Sequence, residues 1–244
     1  MERAIYDHLR DLDGEHWWFV ARRRILGRLI QTLGLPAQPR ILEIGCGAGG
    51  NIPLLKQFGD VQAVEPDEES RLCAAQRTGV PVHGGLLPDG LPFPAESFDL
   101  VCAFDVVEHV DDDKGAVRAL ATLAKPGAWV LTTVPAYQWL WSRHDELHHH
   151  KRRYVLPEYR RLIEGAGLTI ERATYFNTLL FPAAVAQRQV KRWRGDDSPD
   201  DAMPSKPLNR LLQSIFALEA PFVAHAGLPF GMSIAVAARK DDRS

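Results

Sequence analysis

The amino-acid sequence predicts a doubly wound α/β domain, and three observations carry that expectation. Five short apolar runs recur along the chain: "RILEIG" at 40–45, "VQAVE" at 61–65, "VPVH" at 80–83, "FDLVCAF" at 98–104 and "AWVLTTV" at 128–134. They are rich in Val and Ile and bounded by Gly, Pro or Asp, as strands buried on both faces are. Helix candidates near 50–58, 67–77 and 113–124 alternate with them, and a glycine-rich turn, "GCGAGG" at 45–50, joins the first strand to the first helix.

Ahead of this pattern, residues 15–34 read as an amphipathic helix. Trp18, Ala21, Ile25, Leu29 and Leu33 recur at three-to-four spacing, Arg22, Arg23, Arg24 and Arg28 fill the other faces, and Gly34 with "LPAQP" stops it. After residue 135 the rhythm breaks. A polar, aromatic loop at 136–156 leads into a helix, "PEYRRLIEGAG", that starts at Pro157. The run "LTIERATYF" at 168–176 reads as a strand, and "MSIAVAAR" at 232–239 as the last one. The stretch between them is too long for plain coil. "AVAQRQVKRW" and "PLNRLLQSIFALEAPFVA" read as helices there, joined by the acidic linker "GDDSPDDAMPSKP".

The bulk composition narrows the class. At 244 residues the chain can bury one sizeable core, and 45% hydrophobic with 25% charged residues suits a soluble globular enzyme. A net charge of −2 gives no overall pull toward nucleic acid. Cys46, Cys73 and Cys102 are odd in number and lie in or beside apolar segments, which argues against a disulfide framework and for a reducing compartment. The opening "MERAIYDHLRDLDGEH" has no apolar h-region, so a cytoplasmic protein is expected.

Three acids give the glycine turn its meaning. Glu43 stands inside the first strand, two residues before the first glycine. Glu65 ends the second strand, where its carboxylate can accept both hydroxyls of a ribose. Asp105 ends the fourth and is followed by "VVEHV". By letter count 45–50 also satisfies G-x-G-x-x-G, which alone would equally suit a nicotinamide-dependent oxidoreductase. Together, "E-x-G-C-G-x-G", the acid closing strand two, "LPFPAESFDLV" and "D-x-x-E-H-V" resemble the class I S-adenosylmethionine-dependent methyltransferases over residues 40–135. The small-molecule branch that includes the ubiquinone-pathway O-methyltransferases is the nearest in flavour.

That resemblance implies a Rossmann-like, mostly parallel seven-stranded sheet. Its antiparallel last strand, 232–239, would insert between strand five and strand six, 168–176. The cofactor implied is S-adenosyl-L-methionine. Gly45, Cys46 and Gly47 would lie against its methionine part, Glu65 on its ribose, and Pro66 and Asp67 beside its adenine. Where the family often has an acid after strand three, this chain has Gly85 and Leu86, so backbone and apolar contacts to the adenine are expected. Glu43 and Asp105 complete the set. Arg22 or Arg23, with Arg23 preferred, would pair the cofactor's carboxylate. The whole chain is read as one domain: an N-terminal helical cap (1–35), a cofactor core (40–135), an acceptor-side segment (136–176), a helical lid insert (177–230), and strand seven with the tail (231–244).

Methyl transfer from a sulfonium needs alignment and exclusion of water more than covalent help. An oxygen nucleophile also needs its proton removed. Glu108 and His109, just past strand four, lie at the rim where doubly wound folds hold ligands. His109 reads as the base or as a capping histidine; Glu108 reads as its orienting partner or as a helix N-terminal acid. The loop "SRHDELHHHKRRY" at 142–154 emerges on the same rim. Its histidines and acids allow a metal site, a solvated loop or an active-site wall. The wall is preferred and no metal is expected, with His150 as a positioning residue and His148 turned outward. The resemblance singles out Asp145, His150, Arg153 and Tyr154 there, and with Tyr137 and Trp141 these are candidate acceptor contacts, Arg153 being suited to a carboxylate or phosphate. From the other side Trp17, Trp18 and Phe19 either cover an apolar acceptor or pack their helix onto the sheet.

The function expected is methyl transfer to a small-molecule acceptor, by O-methylation of a partly hydrophobic substrate. Rival readings are a nicotinamide-dependent oxidoreductase, a cofactor-binding module without turnover, and an RNA or protein methyltransferase. The apolar content of 177–230, and a basic run around Trp193, leave peripheral contact with a membrane surface open.

Overall fold

The protein is described by a computed structural model that covers residue 8, residues 10–195 and residues 202–242. Seven strands form one sheet: β1 (Arg40–Ile44), β2 (Asp60–Val64), β3 (Val82–His83), β4 (Phe98–Phe104), β5 (Ala124–Pro135), β6 (Leu168–Phe176) and β7 (Ser233–Lys240). Their order is β3-β2-β1-β4-β5-β7-β6. Strands β1 to β5 pair in parallel, and β7 runs antiparallel to both β5 and β6. The expected sheet is therefore present, inserted last strand included.

Nine helices are described: α1 (Trp17–Gln31), α2 (Ile52–Leu55), α3 (Glu68–Thr78), α4 (Asp113–Leu123), α5 (Arg143–Leu147), α6 (Leu156–Glu164), α7 (Phe181–Arg194), α8 (Lys206–Ala217) and α9 (Ala220–His225). Side-chain alternation divides β1: Leu42 and Ile44 join one core with Val117 and Leu120 of α4 and Ile163 of α6. Ile41 joins the other with Ile25 and Leu29 of α1, Ile52 of α2 and Phe216 of α8. Each such side chain contributes about 1.5–3 kcal/mol by leaving water, which fixes the helices to the sheet and so fixes their ends. Local chemistry sets those ends. Asp67 caps α3 by accepting from Ser70 N–H at 2.8 Å, and left-handed Gly79 stops it. Asp112 caps α4 through Gly115 N–H at 2.8 Å.

The insert divides in two. Helices α8 and α9 buttress α1: the Phe216 ring stacks on Phe176 at 6.1 Å and meets Trp17 edge-on at 5.8 Å. Asn209 accepts from Trp17 N–H and donates to the Glu15 carbonyl, both at 2.8 Å. Helix α7 adjoins the acceptor-side loop. Its Phe181 ring packs on Tyr137 at 5.8 Å, while Arg188 donates to the Leu140 carbonyl and Arg192 to that of Trp141. The helix expected over 207–224 breaks at Leu218 and Glu219. There the buried Glu219 carboxylate accepts the amides of Thr178 and Leu179, each at 2.7 Å, and so turns the chain toward β6. Residues 196–201 of the acidic linker lie outside the described residues. Among the described residues no helix is long and apolar enough to cross a membrane.

Candidate functional site

Strand β1 lies between β2 and β4, so the chain leaves β1 toward one side of the sheet and β4 toward the other. That reversal makes the carboxyl ends of these strands the place for a crevice, where such folds take their ligands. The turn after β1 forms one wall. A Cβ on Gly45 (φ +70°) would come within 2.6 Å of Val106, so the two strand ends approach as only glycine permits. Gly47 (φ +55°) has nothing within 4 Å of its Cβ position, so bare backbone faces open space. Glu65, at the end of β2, accepts from Gly47 N–H at 2.8 Å and from Asp67 N–H at 3.0 Å. Burial raises its pKa, opposed by these two amides.

The floor and roof carry opposite charges. Glu43 is buried and accepts from the Asn51 amide at 2.8 Å, with its second oxygen unpartnered. Burial pushes it up to about 7. From α1, Arg22 reaches over the strand ends. It pairs with Asp105 at 2.5 Å and donates to Thr133 at 3.0 Å, and its guanidinium lies 4.8 Å from the Trp18 ring centre. Its Nε is buried without a partner. Asp105 sits at φ +56°, a strained conformation for a non-glycine residue and one found where sites are built.

The histidine loop folds against the same rim. Ser142 and Asp145 form a capping box that starts α5, and Asp145 is fully buried. Its Oδ1 lies 2.8 Å from His150 Nδ1 and accepts from Arg153 Nε at 2.7 Å. Burial works against the carboxylate's charge, but the bond to His150 and the Arg153 charge hold its pKa well below the usual range. His150 meets His109 ring to ring at 4.7 Å, and His144 stacks on His148 at 4.0 Å. Burial, then His150 and His148, drives His109 down to about 3, so its imidazole is neutral. Glu108 is completely buried with both carboxyl oxygens unpartnered, and burial, then the neighbouring Asp105, raises its pKa well above the usual carboxylate range. Glu108, His109 and His150 each present one ligand atom within 4.8 Å of the others, a set that could hold a metal ion.

Comparison with known proteins decides the family. The family described as "Methyltransferase domain" matches residues 18–173. The chain belongs to it. A ubiquinone biosynthesis O-methyltransferase from Bordetella avium (strain 197N) is 35% identical over 97 residues, 37% of this chain and 40% of that protein. The Bordetella relatives are matched over 40 to 46% of their length, less than half of each. Among solved structures, geranyl diphosphate C-methyltransferase from Streptomyces coelicolor A3(2) superposes with a TM-score of 0.58 at 13% identity, covering 87% of this chain and 73% of that one. The [4+2]-cyclase SpnF does so with 0.60 at 18% identity, covering 91% and 80%. These likenesses show the fold alone, which hosts more than one chemistry.

The domain is of the class that uses S-adenosylmethionine, and the crevice fits that cofactor. The open space at the Gly47 Cα leaves room for it, the Glu65 carboxylate could accept its ribose hydroxyls, and the buried, unpartnered atoms of Arg22 and Glu43 offer further polar contacts. Cys46 is buried beside Gly47, and Pro66 follows Glu65. Gly85 packs against Val64, and Leu86 is exposed on the same edge.

Several sequence expectations need correction. Arg23 is engaged elsewhere, by Asp13 at 2.7 Å; Arg22, one residue earlier on α1, is the arginine at the crevice. Asp145 is fully buried and orients His150 in place of contacting an acceptor. Arg153 is spent on Asp145 and on the Ala136 carbonyl at 3.1 Å, so no free guanidinium awaits a substrate anion. Tyr154 lies in the core and donates to Asp113 at 3.0 Å. His148 is buried, and it is His149 that turns outward. Trp17 packs on Phe216, whereas Trp18 and Phe19 remain half-buried beside each other at 5.0 Å. Tyr137 stacks on Tyr175 at 5.2 Å, with Trp141 also on the acceptor-side loop. Asn51, the partner of Glu43, carries no distinguishing signal in the sequence, because asparagine is common at helix starts.

Proposed function

We propose that the protein transfers the methyl group of S-adenosylmethionine to a hydroxyl oxygen of a small, partly hydrophobic acceptor. The observation that carries this reading is the Asp145–His150 pair, 2.8 Å apart and beside His109 at the end of β4. The names of the Bordetella relatives, O-methyltransferases, support it. So do the aromatic rings of Tyr137, Trp139 and Phe181 on the acceptor side, for an apolar portion of the substrate. Exposed Leu179 and Trp193 support peripheral membrane contact by the insert.

The cofactor, when bound, supplies a methyl group on a positively charged sulfur. His150 takes the acceptor's proton at Nε2 while its Nδ1–H stays on the Asp145 carboxylate, which offsets the charge that develops on the ring. His109 is too weak a base for that task, and as a neutral imidazole it orients the acceptor by one hydrogen bond. The two histidines thus exchange the roles expected from the sequence. Burial favours the uncharged form of Glu108 beside them. Arg22 and Trp18 close over the crevice and exclude water.

A second reading rests on the Glu108, His109 and His150 set. A divalent ion there would lower the acceptor hydroxyl's pKa directly and make His150 a ligand. The test is a screen of phenols, catechols, amines and carboxylic acids with methyl-labelled cofactor. O-methylated product from a hydroxyl-bearing acceptor is expected; label passing only to nitrogen or carbon would overturn the reading.

A further inference from the structure

A groove of about 840 Å³ opens between α1, α2, the end of α3 and the α8–α9 corner. It is separate from the cofactor crevice: Gly50 borders it, but Gly45, Gly47 and Glu65 do not. Four arginines line it, Arg23, Arg24 and Arg28 from α1 and Arg77 from α3, with Asp13 the one acidic residue among its described walls. The groove therefore holds a local excess of positive charge on a chain whose net charge is −2.

The arginines are not equivalent. Arg23 and Arg77 are tied to Asp13 at 2.7 Å and 3.6 Å. Arg77 also holds the Ala48 carbonyl at 3.0 Å, so this pair serves the glycine loop. No acid among the described residues lies within ion-pair distance of Arg24 or Arg28, and Arg28 donates only to Gln31 at 3.1 Å. Spaced four residues apart on a rigid helix, these two stand on one ridge about 6 Å from each other. Between them Gly27 lets α1 approach Leu54 so closely that a Cβ would come within 2.9 Å of it. The floor is accordingly apolar, from Leu54 and Phe58, under a cationic rim.

Planar guanidinium forks match the paired oxygens of phosphate, and two forks on one ridge match two linked phosphates better than one. The size lies within the range of small-molecule sites. We propose that this groove is a second binding site, for a ligand that carries a di- or oligophosphate group, with Arg24 and Arg28 as its main contacts. A phosphate-bearing metabolite and a phospholipid headgroup share that chemistry.

Inorganic pyrophosphate titrated by calorimetry, and co-sedimentation with phosphatidylcholine vesicles with and without phosphatidylglycerol, separate these sources. Both are run on the wild type and on Arg24→Ala/Arg28→Ala, with S-adenosylhomocysteine binding as the control for an intact fold. Expected is saturable pyrophosphate binding that weakens about tenfold or more in the double variant, while S-adenosylhomocysteine binding is unchanged. Binding confined to phosphatidylglycerol vesicles and lost in the variant also supports the site, and assigns the phosphates to lipid. Absence of both interactions, or their persistence in the variant, overturns the proposal.

Discussion

His150 Nδ1 lies 2.8 Å from Asp145 Oδ1, and the same oxygen accepts from Arg153 Nε at 2.7 Å. One buried carboxylate thus aims an imidazole at the rim while being fixed itself by a buried cation. His109, 4.7 Å away ring to ring, is held instead by the His148 backbone.

The asymmetry predicts unequal losses. His150→Gln should lower turnover by about a hundredfold to ten-thousandfold, as removal of a general base does. His109→Gln should cost distinctly less. Affinity for S-adenosylhomocysteine should stay near wild type in both, since neither borders the glycine turn. Steady-state kinetics with calorimetry would check this; a larger loss for His109→Gln would return the base to that residue.

Replacing Asp145 acts on the fold as well. Asp145→Ala would leave the Arg153 cation buried without its counter-ion, a situation that costs about 3–5 kcal/mol. Urea denaturation should register a destabilisation of that order, far above that of Glu146→Ala on the exposed side of α5. Equal stability of the two variants would mean that the buried pair contributes little.

The cofactor crevice predicts a contrast between adjacent residues. Glu65→Ala should weaken S-adenosylhomocysteine binding by about 1–3 kcal/mol through lost charge-assisted hydrogen bonds. Arg22→Gln should weaken it too, whereas Arg23→Gln should leave it near wild type. NAD should not bind comparably. Loss of affinity on changing Arg23 and not Arg22 would reverse the assignment of α1's arginine.

Stability should fall with rising pH through the Glu43 carboxyl. Its pKa rises from 4.5 to about 7 on folding, so the folded protein keeps a proton that the unfolded chain has already released. The contribution is complete below about 4.5 and lost as pH climbs through about 7, on the order of 3 kcal/mol in all. Glu43→Gln should remove that part of the slope in denaturation curves taken across the window. An unchanged slope would place the effect on another buried acid.

Metal dependence separates the two readings of the rim. With His150 as base, EDTA should leave turnover unchanged and the purified protein should carry no stoichiometric metal. Activity lost to EDTA and restored by one divalent ion would make Glu108, His109 and His150 ligands.

The strands were readable because both faces of the sheet are covered, so each appears as a continuous apolar run such as "FDLVCAF". Glu65 and Asp105 were readable for a related reason: an acid that ends such a run must sit at the sheet's carboxyl edge. Arg22 and Arg23 could not be separated, since one residue on a helix turns the side chain by about 100° and the helix phase depends on packing with α8. The histidine loop was opaque because its burial comes from partners distant in sequence, the Ala136 carbonyl for Arg153 and Asp113 for Tyr154. The break at Glu219 is likewise tertiary in origin, set by the amides of Thr178 and Leu179.

The support of α1 by α8 and α9 has a bearing on synthesis. The ribosome delivers α1 before the sheet, yet its buttress, Phe216, comes after six of the seven strands. A nascent chain can complete the glycine turn and Glu65 before the helices that pack on the outer side of α1 have been made. A truncated product lacking α8 and α9 would keep all the residues of the crevice's floor and lose the hold on its roof.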